Sequence, residues 1–338
     1  MAINSKSKIK KIVFCAVAII FLTISITSFD RFKRKIIHLL EDTREASNQA
    51  RSLALVNNLL LNDYEVSPLP GTQKDFRGSL FFVGHIYPQS GYIDNKNSPY
   101  ANKEYPLDFL RTLFRHTPPL RTIFGGDNVE FPTRGALRHI LDLKSAIQKS
   151  RFILGNHDQY WEILKNHAVF EKIFHERYYY EDVNGIRLIY LHTVSEDGNY
   201  GLDDAQRTFL KEDALRGSYK YALIFLHHAL WATQPVTNSP YPESEKIRDD
   251  WNKNILPILS QGRTMGVFSG DGGNLSPGSK IKLGTIWHYT TGWSMNRQDI
   301  PPEWLKIDLG EKRIQVYWQK LLAGKLFIKK DPTSNGPL

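Results

Sequence analysis

A single cysteine, Cys15, stands among 338 residues. That excludes a disulfide framework, a zinc site built from thiolates and an iron–sulfur cluster. Internal repeats and low-complexity tracts are absent, and with 41% hydrophobic residues the chain is too apolar for wholesale disorder. Its main body also lacks an excess of one charge. The formal net charge is +9, but residues 1–60 hold ten Lys/Arg against four Asp/Glu, a net of +6. The other 278 residues hold 34 against 31, a net of only +3, which disfavours a nucleic-acid-binding body.

What is present at the N-terminus is a long uncharged stretch. Lys6, Lys8, Lys10 and Lys11 precede an apolar run from Ile12 to Phe29, with no charge until Asp30. Eighteen residues rising about 1.5 Å each span about 27 Å, close to the hydrocarbon thickness of a bilayer. No small-x-small cleavage site follows, and Cys15 lacks the small residues expected before a lipidated cysteine. The expectation is an uncleaved, single-pass signal anchor; a cleaved signal peptide or a buried helix is the alternative. Basic residues flank both ends almost equally, and the short leading tail favours the N-terminus inside, with the large domain extracytoplasmic.

Further along, residues 36–61 carry a helical period, and Pro68, Pro70 and Gly71 mark a linker. The expected division is a basic tail (1–11), a transmembrane anchor (12–29), a juxtamembrane helix and linker (30–75), a globular domain (76–320) and a C-terminal tail (321–338). Within the domain, Ser79–Val83, Thr122–Phe124, Phe152–Leu154, Ile186–Leu191 and Ala222–Leu226 predict strands. Leu107–Arg115, Gly135–Lys149, Asp203–Arg216 and Glu245–Leu259 predict helices. Met265–Phe268, Thr285–Tyr289, Leu305–Leu309 and Ile314–Trp318 add strands in succession. Strands alternating with helices, then strands alone, predict an α/β fold with two packed sheets.

Polar clusters follow five of these apolar runs: Gly84-His85, Gly126-Asp127-Asn128-Val129-Glu130, Gly155-Asn156-His157-Asp158, His227-His228 and Gly270-Asp271-Gly272-Gly273. Loops leaving the carboxyl ends of strands converge on one crevice. Asp, Asn and His there offer hard oxygens and imidazole nitrogen, a set suited to Mn, Mg, Fe or Zn. Singly, each cluster has an ordinary structural explanation: a hydrogen-bonded His85, a Gly-Asp turn, a His227-His228 pair inside the core. Their order and strand context are what distinguish them.

In that order the sequence resembles the calcineurin-like metallophosphoesterases, which carry D-x-H, G-D-x-x-[DE], G-N-H-[DE], a His after an apolar strand, and G-H-x-H. Gly126–Glu130 and Gly155–Asp158 match the second and third motifs fully, and Ile224–His227 matches the fourth. Leu202–Leu215, with Gln206 and Phe209-Leu210, looks like the family's helix before the fourth strand. The resemblance covers roughly residues 79–309 and implies a four-layer α/β/β/α sandwich of two mixed sheets flanked by helices.

Two motifs depart from the pattern. Val83 occupies the Asp position of the first, and the last reads Gly270-Asp271-Gly272-Gly273, with Asp271 in place of one His and Gly273 in place of the other. Carried over by position, the resemblance implies one metal site of Asp127, Asn156, His227 and Asp271, and a second keeping only His85 and the shared Asp127. One tightly bound ion is expected rather than two. Three oxygens and one nitrogen favour Mn²⁺ or Mg²⁺ over Zn²⁺, with Fe also possible; Asp75 and Asp94 are weak candidates for a replacement ligand. His157 is expected beside the leaving group, oriented by Asp158, with Glu130 supporting the Asp127 loop. Residues 88–104 and 230–244, with Tyr87, Tyr92, Tyr100 and Trp231, would shape a substrate pocket or simply pack. Trp287, His288 and Trp293 are taken as structural.

The expected function is membrane-anchored, metal-dependent hydrolysis of a phosphomonoester, phosphodiester or pyrophosphate by metal-activated water. Its substrate would be a phosphorylated small molecule, lipid or glycan. The alternative is a catalytically impaired protein of the same fold that binds a phosphorylated glycan, a lipid or a partner protein.

Overall fold

The computed structural model describes residues 65–67, 78–84, 118–129, 134–147, 149–159, 174, 176–194, 200–232, 244–271, 278–291, 303–322 and 325–332. The expected anchor at 12–29, the helix at 36–61 and the helix at 107–115 lie outside them. Among the described residues, no helix is long and apolar enough to cross a membrane.

Among the described residues, thirteen strands form two mixed sheets. The first has the order β1 (Glu65–Ser67), β13 (Lys325–Lys330), β12 (Ile314–Leu322), β11 (Glu303–Leu309), β2 (Ser79–Val83), β3 (Arg121–Gly125), β4 (Ser150–Ile153). The second runs β5 (Tyr179–Val183), β6 (Ile186–Tyr190), β7 (Ala222–His228), β8 (Thr264–Asp271), β10 (Ile286–Thr290), β9 (Lys280–Leu283). Strands β2, β3 and β4 are mutually parallel, as are β6, β7, β8 and β10, whereas the other pairings are antiparallel.

Side-chain alternation explains why the central strands read as unbroken apolar runs. In β7, Leu223 and Phe225 join Leu80, Phe82, Ile123 and Phe268 in the core between the sheets. Ala222, Ile224 and Leu226 face a second core with Leu210, Ala214, Trp251, Ile255 and Leu259, from helices on the outer face. Aromatic rings bridge the sheets, with Phe82 and Phe225 centroids 5.5 Å apart. On the other side of the first sheet, Phe124 stacks on Phe152 at 4.6 Å.

Helix α1 (Arg134–Ala146) stops short of the expected Lys149, where the backbone turns left-handed at φ 59°. Helix α2 (Asp204–Phe209), capped by Asp203 through its bond from the Gln206 amide, continues in π geometry to Ala214. Helix α3 (Ser244–Asp250) likewise runs through a π segment, Trp251–Ile255, into α4 (Leu256–Gln261). Pro257 has no N–H to continue the α ladder there, which accounts for the wider turn before it.

Two boundaries need correction. The C-terminal tail expected at 321–338 instead completes β12 and forms β13, and β1, within the expected linker, pairs with β13 through Glu65↔Ile328. These strands escaped the sequence pattern because β1 is only three residues long and the apolar part of β13 is equally short between lysines. Of the two alternatives for Trp231, pocket wall or simple packing, the structure shows packing. It is 5% exposed and packs 5.5 Å from Trp251 and 4.8 Å from His288.

His288 is fully buried, accepting from the Trp251 indole at 3.3 Å, with Nδ1 on the Ile286 carbonyl at 3.2 Å. Burial pushes its imidazole down to about 4, against a smaller upward pull from that carbonyl. The unfolded chain therefore takes up a proton below about 6.5 that the native ring refuses, so stability falls as pH drops from 6.5 toward 4. At pH 5 this contributes about 2 kcal/mol of destabilisation. His288→Phe, which cannot titrate, is expected to lose less melting temperature between pH 7 and pH 5 than the wild type. Equal losses would refute it.

Candidate metal centre

The carboxyl ends of β2, β3, β4, β7 and β8 meet at one end of the inter-sheet core. Glycine makes the meeting possible. A Cβ on Gly270 would lie 1.9 Å from the Gly125 carbonyl oxygen, and one on Gly84 would lie 2.1 Å from the Gly270 oxygen. Beyond Gly125 the chain turns through Gly126 at φ 92° and Asp127 at φ 51°. A Cβ on Gly126 would strike the His227 ring at 2.3 Å, and one on Gly155 would lie 2.1 Å from Asp127 Oδ1.

Four residues expected as ligands converge here. Asp127, 1% exposed, places Oδ1 3.2 Å from His227 Nε2. Asn156 Oδ1 lies 3.3 Å from the same nitrogen, and Asp271 Oδ2 lies 3.9 Å away. His227 continues the Leu223–Phe225 face of β7, so its ring enters the site from the inter-sheet core. Its Nδ1 donates to the Gly125 carbonyl at 2.8 Å, which leaves Nε2 directed at the oxygens. Burial alone would lower the His227 imidazole, but Asp127 and Asp271 outweigh it and hold it up to about 9. A set of oxygens that favours positive charge on the enclosed nitrogen fits a divalent cation.

A second imidazole reaches the same place. Ligand atoms of His227, His228 and Asp271 lie within 4.8 Å of one another, and the two rings are 4.3 Å apart. His228 Nε2 is 3.0 Å from Asn156 Oδ1, and Tyr200 packs edge-on against the His228 ring at 4.7 Å. Ser269 Oγ ties the strand ends together by donating to the carbonyls of His227 and Asp271.

Asp158 sits differently from the expectation. Its carboxylate accepts from the amides of Asn128, Val129 and Gly155 and from Asn128 Nδ2, at 2.8–2.9 Å. The His157 ring is not among these donors. Asp158 therefore clamps the Gly126–Val129 loop to the Gly155–Asp158 loop, helped by Asn128 Nδ2 on the Ile153 carbonyl. Burial and the charge of Asp127 push the Asp158 carboxyl up to about 7, against the pull of the amides. His157, half-buried, donates its main-chain N–H to Asp127 Oδ1 at 3.0 Å. His85, Glu130, Gly272, Gly273, Asp75, Asp94 and the loop at 88–104 lie outside the described residues.

The sequence reasoning left His228 undecided and passed over Asn128 and Thr193. The His-His dipeptide was the one available signal, and a strand's alternation argues against both rings sharing a site. They meet because β7 ends there.

No family model and no curated protein matches the sequence. Solved structures do. A dimetal phosphatase from Danio rerio is matched over 76% of this chain and 100% of its own, with a TM-score of 0.50 and 12% identity. A purple acid phosphatase from yellow lupin is matched over 73% of this chain and 52% of its own, with a TM-score of 0.49 and 10% identity. A predicted phosphoesterase from Streptococcus pneumoniae is matched over 75% and 98%, with a TM-score of 0.37 and 10% identity. The chain has the calcineurin-like metallophosphoesterase fold.

Proposed function

We propose that the protein is a metal-dependent phosphoesterase that hydrolyses a phosphomonoester, phosphodiester or pyrophosphate. The observation that carries this is the convergence of Asp127, Asn156, His227 and Asp271 at the mouth of the inter-sheet core. Those four residues would hold the ion, and their three oxygens and one nitrogen favour Mn²⁺ or Mg²⁺. A divalent cation there supplies Lewis-acid polarisation of a phosphoryl oxygen and acidifies water. The chain's own contribution is orientation. Gly125 fixes the His227 tautomer, and Asp158 locks the two loops that present Asp127 and Asn156. His157, anchored through its main chain to Asp127, would give a proton to the leaving oxygen.

The substituted last motif is the basis for expecting one tight ion. The apolar run from Ile12 to Phe29 supports a membrane anchor, with a phosphorylated small molecule, lipid or glycan as substrate.

The test is metal content of the purified protein by plasma mass spectrometry, with hydrolysis of nitrophenyl phosphate and bis-nitrophenyl phosphate under added Mn²⁺, Mg²⁺ or Zn²⁺. About one ion per chain with metal-dependent turnover supports the proposal. No ion and no turnover would favour a binding protein of this fold. Asp271→Ala is expected to weaken Mn²⁺ binding by more than about tenfold, beyond the lower end of what an outer-sphere residue contributes. Unchanged occupancy would remove Asp271 from the ligand set.

A further inference from the structure

We propose that Thr193 and His228 form a positioning relay that aims the Asn156 carboxamide oxygen into the metal centre, with His228 acting as a hydrogen-bond donor rather than a ligand. The inference rests on the metal-site reading above. Thr193 is fully buried. Its Oγ1 accepts the His228 main-chain N–H at 3.2 Å and lies 2.7 Å from His228 Nδ1. Among the described residues, Nδ1 is the acceptor placed to receive the hydroxyl hydrogen. A neutral imidazole that accepts at Nδ1 carries its proton on Nε2. That Nε2 lies 3.0 Å from Asn156 Oδ1, which can only accept.

The chain of bonds thus runs Thr193 Oγ1–H to His228 Nδ1, then His228 Nε2–H to Asn156 Oδ1. One lone pair of Asn156 is fixed by His228, and the other is left for the cluster of Asp127 Oδ1 and His227 Nε2. The opposite tautomer would leave the buried Thr193 hydroxyl hydrogen without that acceptor and set the Nε2 lone pair against an amide oxygen, a costly arrangement.

The relay also has a fixed origin. Gln206, 2% exposed, accepts from the His192 main-chain N–H at 2.9 Å and donates to the His192 carbonyl at 2.8 Å, pairing with it as a strand would. The next residue is Thr193, whose carbonyl accepts from Gly201 at 3.0 Å. The helix capped by Asp203 therefore sets the position of the hydroxyl that starts the relay.

The experiment is long-range proton–nitrogen correlation NMR on the full-length ¹⁵N-labelled protein, with His228 assigned by the signals missing from His228→Gln. The metal-free wild type is expected to show His228 protonated at Nε2 and bare at Nδ1, and to keep that pattern when loaded with diamagnetic Zn²⁺. Calorimetric Mn²⁺ titration should show Thr193→Val weakened by about 10- to 100-fold, with Thr193→Ser close to wild type. A His228 ring protonated at Nδ1, loss of the Nε2 proton on Zn²⁺ loading, or wild-type Mn²⁺ affinity in Thr193→Val would each overturn the relay. A wild type that binds neither ion would instead sink the metal-site reading, and the tautomer in the metal-free protein would still decide the relay.

Discussion

Replacing Asp127 by alanine is expected to abolish both metal binding and turnover. Asp127 is the most buried of the oxygen donors, and its Oδ1 alone contacts both His227 and the main chain of His157. The loss of Mn²⁺ affinity should exceed the roughly 100-fold ceiling seen for outer-sphere partners. Two further effects point the same way. Without the carboxylate, the largest upward influence on His227 disappears, so the site loses its preference for positive charge. The left-handed backbone at φ 51°, which Asp tolerates better than most residues, also becomes less favourable for Ala.

His157→Ala is the informative companion. Its main-chain N–H to Asp127 survives the change, so metal binding should persist while turnover falls by about 10²- to 10⁴-fold, the range of a general acid. Calorimetric Mn²⁺ titration beside phosphatase assays separates the two variants. Wild-type turnover in both would remove the active site from this crevice.

The second large effect is structural. Gly270→Ala should destabilise the fold by about 3 kcal/mol, the upper end of overpacking in a close-packed interior. The added Cβ would sit 1.9 Å from the Gly125 oxygen and 2.7 Å from its Cα, and both neighbours are main chain that cannot swing aside. For a domain of this size the melting temperature should fall by about 6–12 °C. Mn²⁺ affinity should fall with it, because Asp271 and Asp127 flank the glycines forced apart. Gly78→Ala is the control: nothing lies within 4 Å of its added Cβ, and thermal melting should be nearly unchanged. Equal melting temperatures for Gly270→Ala and the wild type would show that the two sheets do not meet as closely as described.

The central strands and the ligands on them were legible in the sequence because both follow from local chemistry. A strand buried on both faces must be mostly apolar, so β2, β3, β6 and β7 stand out as runs that end at or beside polar residues. Asp127, Asn156, His227 and Asp271 lie in the polar clusters beside such runs, and the resemblance to the calcineurin-like metallophosphoesterases singled them out. The peripheral strands β1, β9 and β13 were not legible: β1 is three residues long, β9 alternates with lysine as a solvated loop would, and β13 has only three apolar residues between lysines.

Asp158 and His228 mark the limit more sharply. The Gly-Asn-His-Asp motif places Asp158 one residue from His157, and adjacency suggests that one orients the other. In the fold its oxygens turn to the loop 30 residues earlier, accepting the Asn128 and Val129 amides, and to the Gly155 amide of its own loop. The chain alone determined that the strands of a mixed α/β fold would end in a ring of oxygens and imidazoles, because hydrophobic periodicity and residue chemistry are local properties. How each imidazole is turned toward the oxygens was decided only by tertiary structure. Gly125 and Thr193, distant in sequence from His227 and His228, supply the hydrogen-bond partners that fix each ring, and partners of that kind exist only once the sheets have packed.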